Sequence, residues 1–230
     1  MRSRVGWLLL LLLTVLICLV GSCAAAESTY QTLCSQAGLN SPDVIAWIEI
    51  PGAEIREPVL RHPTDDAYYG KHRADGSESA YGAVYVQAKY NAADFSDPVT
   101  LIYGSSAVES APFRMLQEKF SGSFDECRRV YLHTPEGTQE YIVFAAVPHS
   151  SIHILHYYDF SSARRFNAFF DGVYSTRALG MHLDEDSRPE PGADQVLILS
   201  TALRGDSLQR YLVMARRLSP RGLATLPGQE

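Results

Sequence analysis

The chain has 230 residues, of which 46% are hydrophobic and 20% are charged. This length and apolar content suit one ordinary globular domain with an extension, because a domain of this size can bury a core large enough to fold alone. The net charge is -6, and the basic residues are scattered along the chain. A basic surface for nucleic acid is therefore excluded.

Residues 1–26 have the three parts of an export signal. Arginines give a basic start, residues 7–20 are apolar, and small residues lead up to Ala26. Three outcomes stay open: cleavage after Ala26, a lipid on Cys23 in a lipobox-like sequence, or an uncleaved anchor. The apolar run is shorter than the ~20 residues of a spanning helix. Each outcome predicts a domain outside the cytoplasmic membrane, and the last two predict its attachment to that membrane.

Only two cysteines, Cys34 and Cys127, lie beyond the signal. A disulfide between them is compatible with an oxidising compartment, but the sequence gives no distance between them. Two buried or idle thiols are the simpler interpretation, and both interpretations stay open. Neither cysteine lies in a motif that would make it a thiolate nucleophile.

The elements begin with a lead-in, residues 27–43, that is predicted to contain a short helix ending at Ser41-Pro42, since proline cannot continue a helix. Strand signals then recur as short runs of alternating or continuous apolar residues. They fall at residues 47–50, 58–60, 83–86, 99–103, 129–133, 139–147, 196–199 and 211–215. A hairpin turn is predicted at Pro135-Glu136-Gly137-Thr138, between the fifth and sixth runs.

Helical periodicity appears at residues 113–120 and 162–176. The connection over residues 148–194 is too long for a bare loop, so it is expected to carry the second of these helices. Short strands with inserted helices indicate a β-barrel rather than a βαβ fold. We therefore predict a mostly β domain over residues 44–218, an eight-stranded β-barrel with a helix before the penultimate strand, followed by a disordered tail at residues 219–230.

Several short motifs follow one another in the order found in a known family. They are Trp47-Ile48-x-Ile50-Pro51-Gly52, Tyr68-Tyr69, Gly82-Ala83-Val84-Tyr85, Leu101-Ile102-Tyr103-Gly104, and Leu199-Ser200-Thr201 followed by Arg210. Over residues 44–218 the chain resembles the class B sortases. The resemblance implies a sortase-like barrel in which the helical insertion precedes the strand that carries the family's catalytic cysteine.

The resemblance also assigns three positions of this chain to the family's active site. Ala202 stands at the position of the catalytic cysteine, Ser105 at that of the catalytic histidine, and Arg210 at that of the oxyanion-binding arginine. Sortases cut a sorting peptide through a thioacyl intermediate, which requires a nucleophile, a proton donor and a positive group. A methyl group cannot be acylated, and a serine hydroxyl is a poor proton donor near neutral pH.

The resemblance therefore implies a catalytically inactive protein in which Arg210, Ser200 and Thr201 remain to bind a ligand. The expected partner is a sorting-signal peptide, a pilin or a partner sortase at the cell envelope, and no cofactor is expected. Two rival functions stay open. One is an active transpeptidase or hydrolase with Ser200, Thr201 or Ser105 as a displaced nucleophile, which would need a base within hydrogen-bond reach. The other is a structural envelope domain whose cleft binds nothing.

Two local features have competing interpretations. Arg210 would clamp a peptide carbonyl or carboxylate, or it would pair with Asp206 and only finish its strand. His149, His153 and His156 have a spacing that would align metal ligands on a helix. Because the same segment is also typical of a strand that runs into a loop, no metal site is expected there.

Overall fold

The computed structural model describes residues 28–122 and 127–218. Helices in this part are α1 (Thr29–Ala37), α2 (Arg114–Phe120), α3 (Ile154–Tyr157) and α4 (Ala163–Ser175), with 3-10 turns at Pro51–Ala53, Tyr68–Gly70 and Glu185–Ser187. Strands are β1 (Val44–Ile50), β2 (Ile55–Leu60), β3 (Val84–Tyr85), β4 (Val99–Tyr103), β5 (Arg129–Thr134), β6 (Gly137–Ser150), β7 (His182–Leu183), β8 (Val196–Leu203) and β9 (Asp206–Arg217). The export signal with Cys23, and residues 219–230, lie outside the described residues. Within them, no helix is long and apolar enough to cross a membrane.

Eight of these strands form a closed barrel, which confirms the predicted fold class. Their ring order is β5, β1, β2, β3, β4, β8, β9 and β6, and the β5–β6 hairpin closes the ring. The β2–β3 and β4–β8 junctions are parallel. The ninth strand, β7, only extends one edge of β6. Two residues give no periodic signal, so the sequence does not predict β7.

Strands β8 and β9 are buried on both faces. Along β8, Leu197 and Leu199 join the apolar cluster inside the barrel, whereas Val196 and Ile198 pack outside the barrel under α4. Strands covered on both faces have continuous apolar runs instead of alternating ones. That burial explains why this part of β8 is a strong strand signal.

Helix α4 is the predicted insertion helix before the penultimate strand. Its apolar residues recur at steps of three and four and are buried against the outer face of the barrel; they are Phe166, Phe169, Phe170 and Val173. Ser162 and Thr176, which the prediction included in the helix, are its cap residues. The helix covers β8 around Ile198 but leaves Ala202, four residues further along the strand, exposed.

The ends of β8 and β9 lie closer together than the sequence predicts. β8 continues through Ala202 to Leu203, and β9 begins at Asp206. Ala202 and Arg210 therefore belong to the strands, whereas the predicted strands stop short of them. Gly205, with φ 85°, makes the tight turn between the two strands. The apolar pattern ends at Leu199 because the following strand residues are polar or small, and a pattern of apolar residues cannot detect pairing of that kind.

Helix α1 ends before the predicted proline. Ser28 caps its start in a reciprocal pair with Gln31, and Gly38, with φ 66°, ends it at Ala37. The backbone N–H of Leu39 then bonds to the carbonyl of Cys34 over 2.9 Å. A glycine in the left-handed region therefore stops this helix, and the lead-in continues to residue 43 without helical structure.

The two described cysteines are not joined by a disulfide. The indole N–H of Trp47 donates to the sulfur of Cys34 over 3.3 Å. Cys127 is buried in the cluster inside the barrel. Both act here as packing residues.

Candidate functional site

The candidate site lies at one end of the paired strands β8 and β9. Ala202 is directly opposite Arg210 in their antiparallel register. Tyr103, the last residue of β4, is opposite Ser200 in the parallel β4–β8 register. Because residues directly opposite each other project from the same face of a sheet, these four side chains share the outer face of the barrel. We call Tyr103, Ser105, Ser200, Thr201, Ala202 and Arg210 the Arg210 site.

Arg210 is held by β8 rather than by an acid. Its Nε donates to Ser200 Oγ over 3.0 Å and its Nη2 donates to the Ser200 carbonyl over 3.1 Å. The suggested partner Asp206 instead accepts from Gln209 Nε2 over 2.8 Å, so the Asp206 interpretation is wrong. Burial lowers the pKa of the Arg210 guanidinium, but an arginine keeps its charge in any protein environment.

Two tyrosines extend the wall beside Arg210. The guanidinium carbon lies 5.7 Å from the centroid of the Tyr103 ring, within the range of a cation–π contact. The Tyr103 ring stacks on Tyr85 with a centroid distance of 5.4 Å. Burial raises the pKa of both phenols, so both remain neutral. The sequence alone does not predict this role, although Tyr85 and Tyr103 are the last residues of β3 and β4.

Ser105 lies in the loop that follows β4. Its hydroxyl oxygen accepts from the Ala107 N–H over 3.3 Å, and its carbonyl accepts from the Phe113 N–H over 2.8 Å. Gly104 begins this loop and donates its N–H to the Ser200 carbonyl over 3.1 Å. The loop is therefore fastened both to β8 and to the start of α2.

Ser106, which the sequence does not single out, ties the same loop to the end of β8. The Thr201 hydroxyl donates to Ser106 Oγ over 2.8 Å, and Ser106 Oγ lies 3.4 Å from the Ala202 carbonyl, to which it donates. Thr201 is fully buried, because it projects into the barrel interior opposite Tyr211. Thr201 is thus a core residue that supports the site, not a residue exposed to a ligand.

His149, which the sequence suggests only as a metal ligand, lies near the Arg210 site. His149 of β6 is directly opposite Arg210 on the other side of β9. Neighbouring strands are about 4.8 Å apart, so His149 is about two strand spacings from Ala202. Its ring instead packs against Phe169, with centroids 5.8 Å apart, and its Nδ1 lies 2.9 Å from the Ser150 carbonyl.

The hydroxyls of the Arg210 site have no histidine partner among the described contacts. Ser200 Oγ accepts from Arg210, Thr201 bonds to Ser106, and Ser105 Oγ accepts from a backbone N–H. An activated hydroxyl nucleophile needs a base within about 3.2 Å. The geometry gives no support to the displaced-nucleophile interpretation.

The three histidines with metal-like spacing do not converge. His149 is on β6, whereas His153 caps the start of α3 by accepting the His156 N–H over 3.1 Å. The other ring nitrogen of His153 lies 2.8 Å from Gln87 Oε1. Across residues 28–122 and 127–218, no group of three His, Cys, Asp or Glu side chains is placed to hold a metal ion.

The Tyr68-Tyr69 pair lines a different cleft, of about 460 Å³, together with His62. Tyr68 is stacked between His62 and His72, with ring centroids 4.5 Å and 3.9 Å away. Tyr69 donates its hydroxyl to Asp43 over 2.7 Å. These contacts fix the 3-10 turn at Tyr68–Gly70 and account for the tyrosine pair by packing.

Solved structures of class B sortases share this fold. Sortase B of Clostridium perfringens matches with a TM-score of 0.66 at 18% identity, over 82% of this chain and 98% of that chain. A Staphylococcus aureus sortase B–substrate complex gives 0.67 at 18% identity, over 84% and 88% of the two chains. A Streptococcus pyogenes class B sortase involved in pilus biogenesis gives 0.63 at 18% identity, over 76% and 92%.

No family model matches the chain, and no curated protein matches its sequence. The structural matches nonetheless extend over nearly the whole of each sortase chain. They agree with the closed ring of eight strands and with the helix inserted before β8. The chain has the fold of the class B sortases.

Proposed function

We propose that this chain is an exported, membrane-attached protein with a sortase fold that binds an extended peptide at the Arg210 site without cleaving it. One observation carries the proposal: an alanine methyl group lies directly opposite the retained arginine. The site therefore keeps a charged hydrogen-bond donor and lacks an atom that could attack a peptide.

The absence of cleavage follows from the residues at the site. Ala202 offers no nucleophilic atom, and the Ser105 hydroxyl accepts a backbone N–H instead of contacting a titrating base. Removing members of a catalytic unit that acts together abolishes nearly all covalent catalysis. What such a site retains is its capacity to bind.

Arg210 provides the binding contact. Its guanidinium is partly desolvated and lies beside the Tyr103 ring, where a bond to a peptide carbonyl or carboxylate is stronger than in water. Its present acceptors, both on Ser200, are neutral oxygen atoms. A ligand carboxylate would bind the planar fork with two parallel bonds, which a serine cannot offer.

The proposed ligand is a sorting-signal peptide, a pilin or a partner sortase. Among proteins with the same fold, the Staphylococcus aureus enzyme has been solved with substrate, and the Streptococcus pyogenes enzyme is involved in pilus biogenesis. The first therefore has a bound substrate, and the second takes part in the assembly of a pilus. We extend that type of partner, and not the reaction, to this chain.

Attachment to the membrane is proposed from the N-terminal sequence. A lipid on Cys23 or an uncleaved apolar segment would keep the barrel at the outer face of the cytoplasmic membrane. Cys23→Ala should abolish metabolic labelling with a palmitate analogue if the lipid forms. Intact mass of the mature protein would instead identify an uncleaved N-terminus.

The test of function measures binding and cleavage on the same full-length protein in detergent. A library of fluorescent sorting-type peptides is titrated by anisotropy, and the mixtures are analysed by mass spectrometry for cleaved products. Binding with no product is expected. Arg210→Ala should weaken binding by about 1 to 3 kcal/mol, the range for a charge-assisted hydrogen bond, and Arg210→Lys should recover part of the loss.

The control is Arg164→Ala, which removes an exposed arginine from α4. Its affinity should equal that of the unaltered protein. If Arg210→Ala lowers the melting temperature but leaves every affinity unchanged, the barrel serves only as a structural envelope domain. If product forms and disappears with Ser200→Ala or Ser105→Ala, the displaced-nucleophile enzyme is correct.

A further inference from the structure

A carboxylate occupies a core-facing position on β2, a strand that contributes no residue to the Arg210 site. Glu57 lies between Ile55 and Val59 in the row of β2 that faces the barrel interior, and both of those neighbours are buried in the central cluster. The residue opposite Glu57 on β1 is Ile48, which is fully buried. A strand that alternates in this way would ordinarily have an apolar residue at position 57.

Glu57 has no protein partner in the described structure. No hydrogen bond or ion pair joins its carboxylate to residues 28–122 or 127–218, and burial alone raises its pKa to about 7. Glu57 is half-buried, and burial penalises its unpaired charged form, which favours either protonation or a bound cation. Positions that break the local pattern without an internal partner are those where a binding role is expected.

Glu57 lines a cleft of about 310 Å³ beside the short strand β3. β3 pairs with β2 only at Val59↔Val84 and Leu60↔Tyr85, so the edge of β2 beside Glu57 has no strand next to it. The gap is bordered by the loop that contains Ser79, Tyr81 and Gly82. Its volume is at the lower end of the ~300 to 1,000 Å³ typical of small-molecule sites.

The lining selects among possible cations. Among the described residues that line the cleft, Glu57 is the only carboxylate, whereas Ca²⁺ takes six to eight oxygen ligands and usually several carboxylates. The exposed Arg73 at the same cleft disfavours ligands with several positive charges. Ser79 and Ser110 add hydroxyl acceptors, and the Tyr81 ring adds an aromatic surface on which an ammonium group can lie.

We propose that the Glu57 cleft binds a small organic primary amine as its monovalent ammonium ion. The ammonium group donates to the Glu57 carboxylate and to the serine hydroxyls, and the short hydrocarbon part contacts Pro58, Ala83 and Pro112. The inference is independent of the peptide-binding proposal, because no residue that lines the Glu57 cleft belongs to the Arg210 site, although Ser110 and Pro112 lie in the loop that also contains Ser105.

The test uses n-butylamine as the probe and the full-length protein, with binding measured by isothermal titration at pH 8. Saturable binding is expected, and n-butanol, which has the same shape without the charge, should not bind. Glu57→Gln should weaken butylamine binding at least tenfold. Glu78→Gln, which changes an exposed carboxylate on the neighbouring loop, should leave the affinity unchanged.

The pH dependence gives a second readout. Arg73 is the only other charged side chain among the described residues that line the cleft. Affinity should therefore rise from pH 6 to pH 8 as Glu57 ionises, since the amine is already charged there. Absence of saturable binding at pH 8, or equal affinity in Glu57→Gln, would overturn the proposal. Peptide binding at Arg210 is measured on the same variants and shows that they are folded.

Discussion

Ala202 and Arg210 face each other directly across the β8–β9 pair, so the side chain opposite the arginine is a methyl group. The guanidinium donates its hydrogen bonds to Ser200, which lies two residues before Ala202 on β8. The strand pairing around the two residues is intact, and under the proposed function only side chains are missing for cleavage. Reactivity should therefore be recoverable by changing side chains alone.

Restoring two side chains tests that expectation. Ser105→His with Ala202→Cys should react with a sorting-type peptide that carries a vinyl sulfone, because the histidine can supply the base and the cysteine the nucleophile. Ala202→Cys alone should react much more slowly, as a thiol of ordinary pKa is mostly protonated at pH 7. Peptide mapping by mass spectrometry should locate the adduct at residue 202. Equal rates for the single and double variants would show that Ser105 is not placed to assist residue 202.

Gly104→Ala should destabilise the barrel at the end of β4, where the loop that contains Ser105 begins. A methyl group at Gly104 would lie 2.5 Å from the ring of Phe113, which is fully buried and cannot move aside. Overpacking of this kind costs about 1 to 3 kcal/mol of unfolding free energy. Gly172→Ala is the matched control, because no atom lies within 4 Å of its added methyl and it is inside α4.

Thermal denaturation compares these two variants. The melting temperature should fall for Gly104→Ala and should rise slightly for Gly172→Ala, since alanine is favoured over glycine in a helix by roughly 0.5 to 1 kcal/mol. An unchanged melting temperature in Gly104→Ala would mean that the loop repacks freely around Phe113.

The stability losses from changing Thr201 and Ser106 should not add, because one hydrogen bond joins the two side chains. Ser106→Ala leaves the fully buried Thr201 hydroxyl without its acceptor and should cost about 1 to 3 kcal/mol. Thr201→Val removes that hydroxyl. Making this change in the Ser106→Ala variant should therefore lower the unfolding free energy by little more. Urea unfolding of the two single variants and the double variant gives the coupling energy. Strictly additive losses would exclude a direct interaction.

Glu57 should make the protein less stable as pH rises through the neutral range. Burial raises its pKa from 4.5 to about 7. Between these values the folded chain keeps a proton that the unfolded chain releases, so the unfolding free energy falls as pH increases. One pKa unit corresponds to about 1.4 kcal/mol, and solvent at the cleft reduces the effect, so we expect a loss of about 2 kcal/mol from pH 4.5 to pH 7.5.

Urea unfolding across this pH range, without amines in the buffer, checks the expectation. Glu57→Gln should flatten the slope. Asp75, Asp94 and Asp159 have pKa values lowered chiefly by hydrogen bonds from nearby serines, so they titrate below the window. A slope that survives in Glu57→Gln would have to come from another group.

The parts of the fold with strong periodic signals were predictable from the sequence. The spacing of Phe166, Phe169 and Phe170 predicts α4, and the run that begins at Val196 predicts β8, because both bury large apolar faces. The run at residues 83–86 predicts β3, which pairs over only Val84 and Tyr85, whereas the two residues of β7 are too few for a pattern. The full length of β9 was also hidden, since its first five residues contain a single apolar side chain, the exposed Leu208, and are placed by pairing with β8 and β6.

The contacts of the Arg210 site were not predictable from the sequence. Short motifs identify Ala202 and Arg210, whereas the bonds from Arg210 to Ser200 depend on strand register. Ser106 and His149 enter only because distant segments meet in space. Glu57 did have a visible signal, an acid between Ile55 and Val59 in an alternating strand, but an acid within a strand usually faces solvent.

The parallel β4–β8 junction has a consequence for how the chain folds. Its five paired positions, from Val99↔Val196 to Tyr103↔Ser200, join segments separated by two hairpin strands and the whole helical insertion. Closing so long a loop costs chain entropy before any contact compensates for it, which makes such pairings slow to form. Until β8 arrives, β4 exposes an apolar edge open to pairing with other chains. The same junction that supports the site is therefore the step at which folding and aggregation compete.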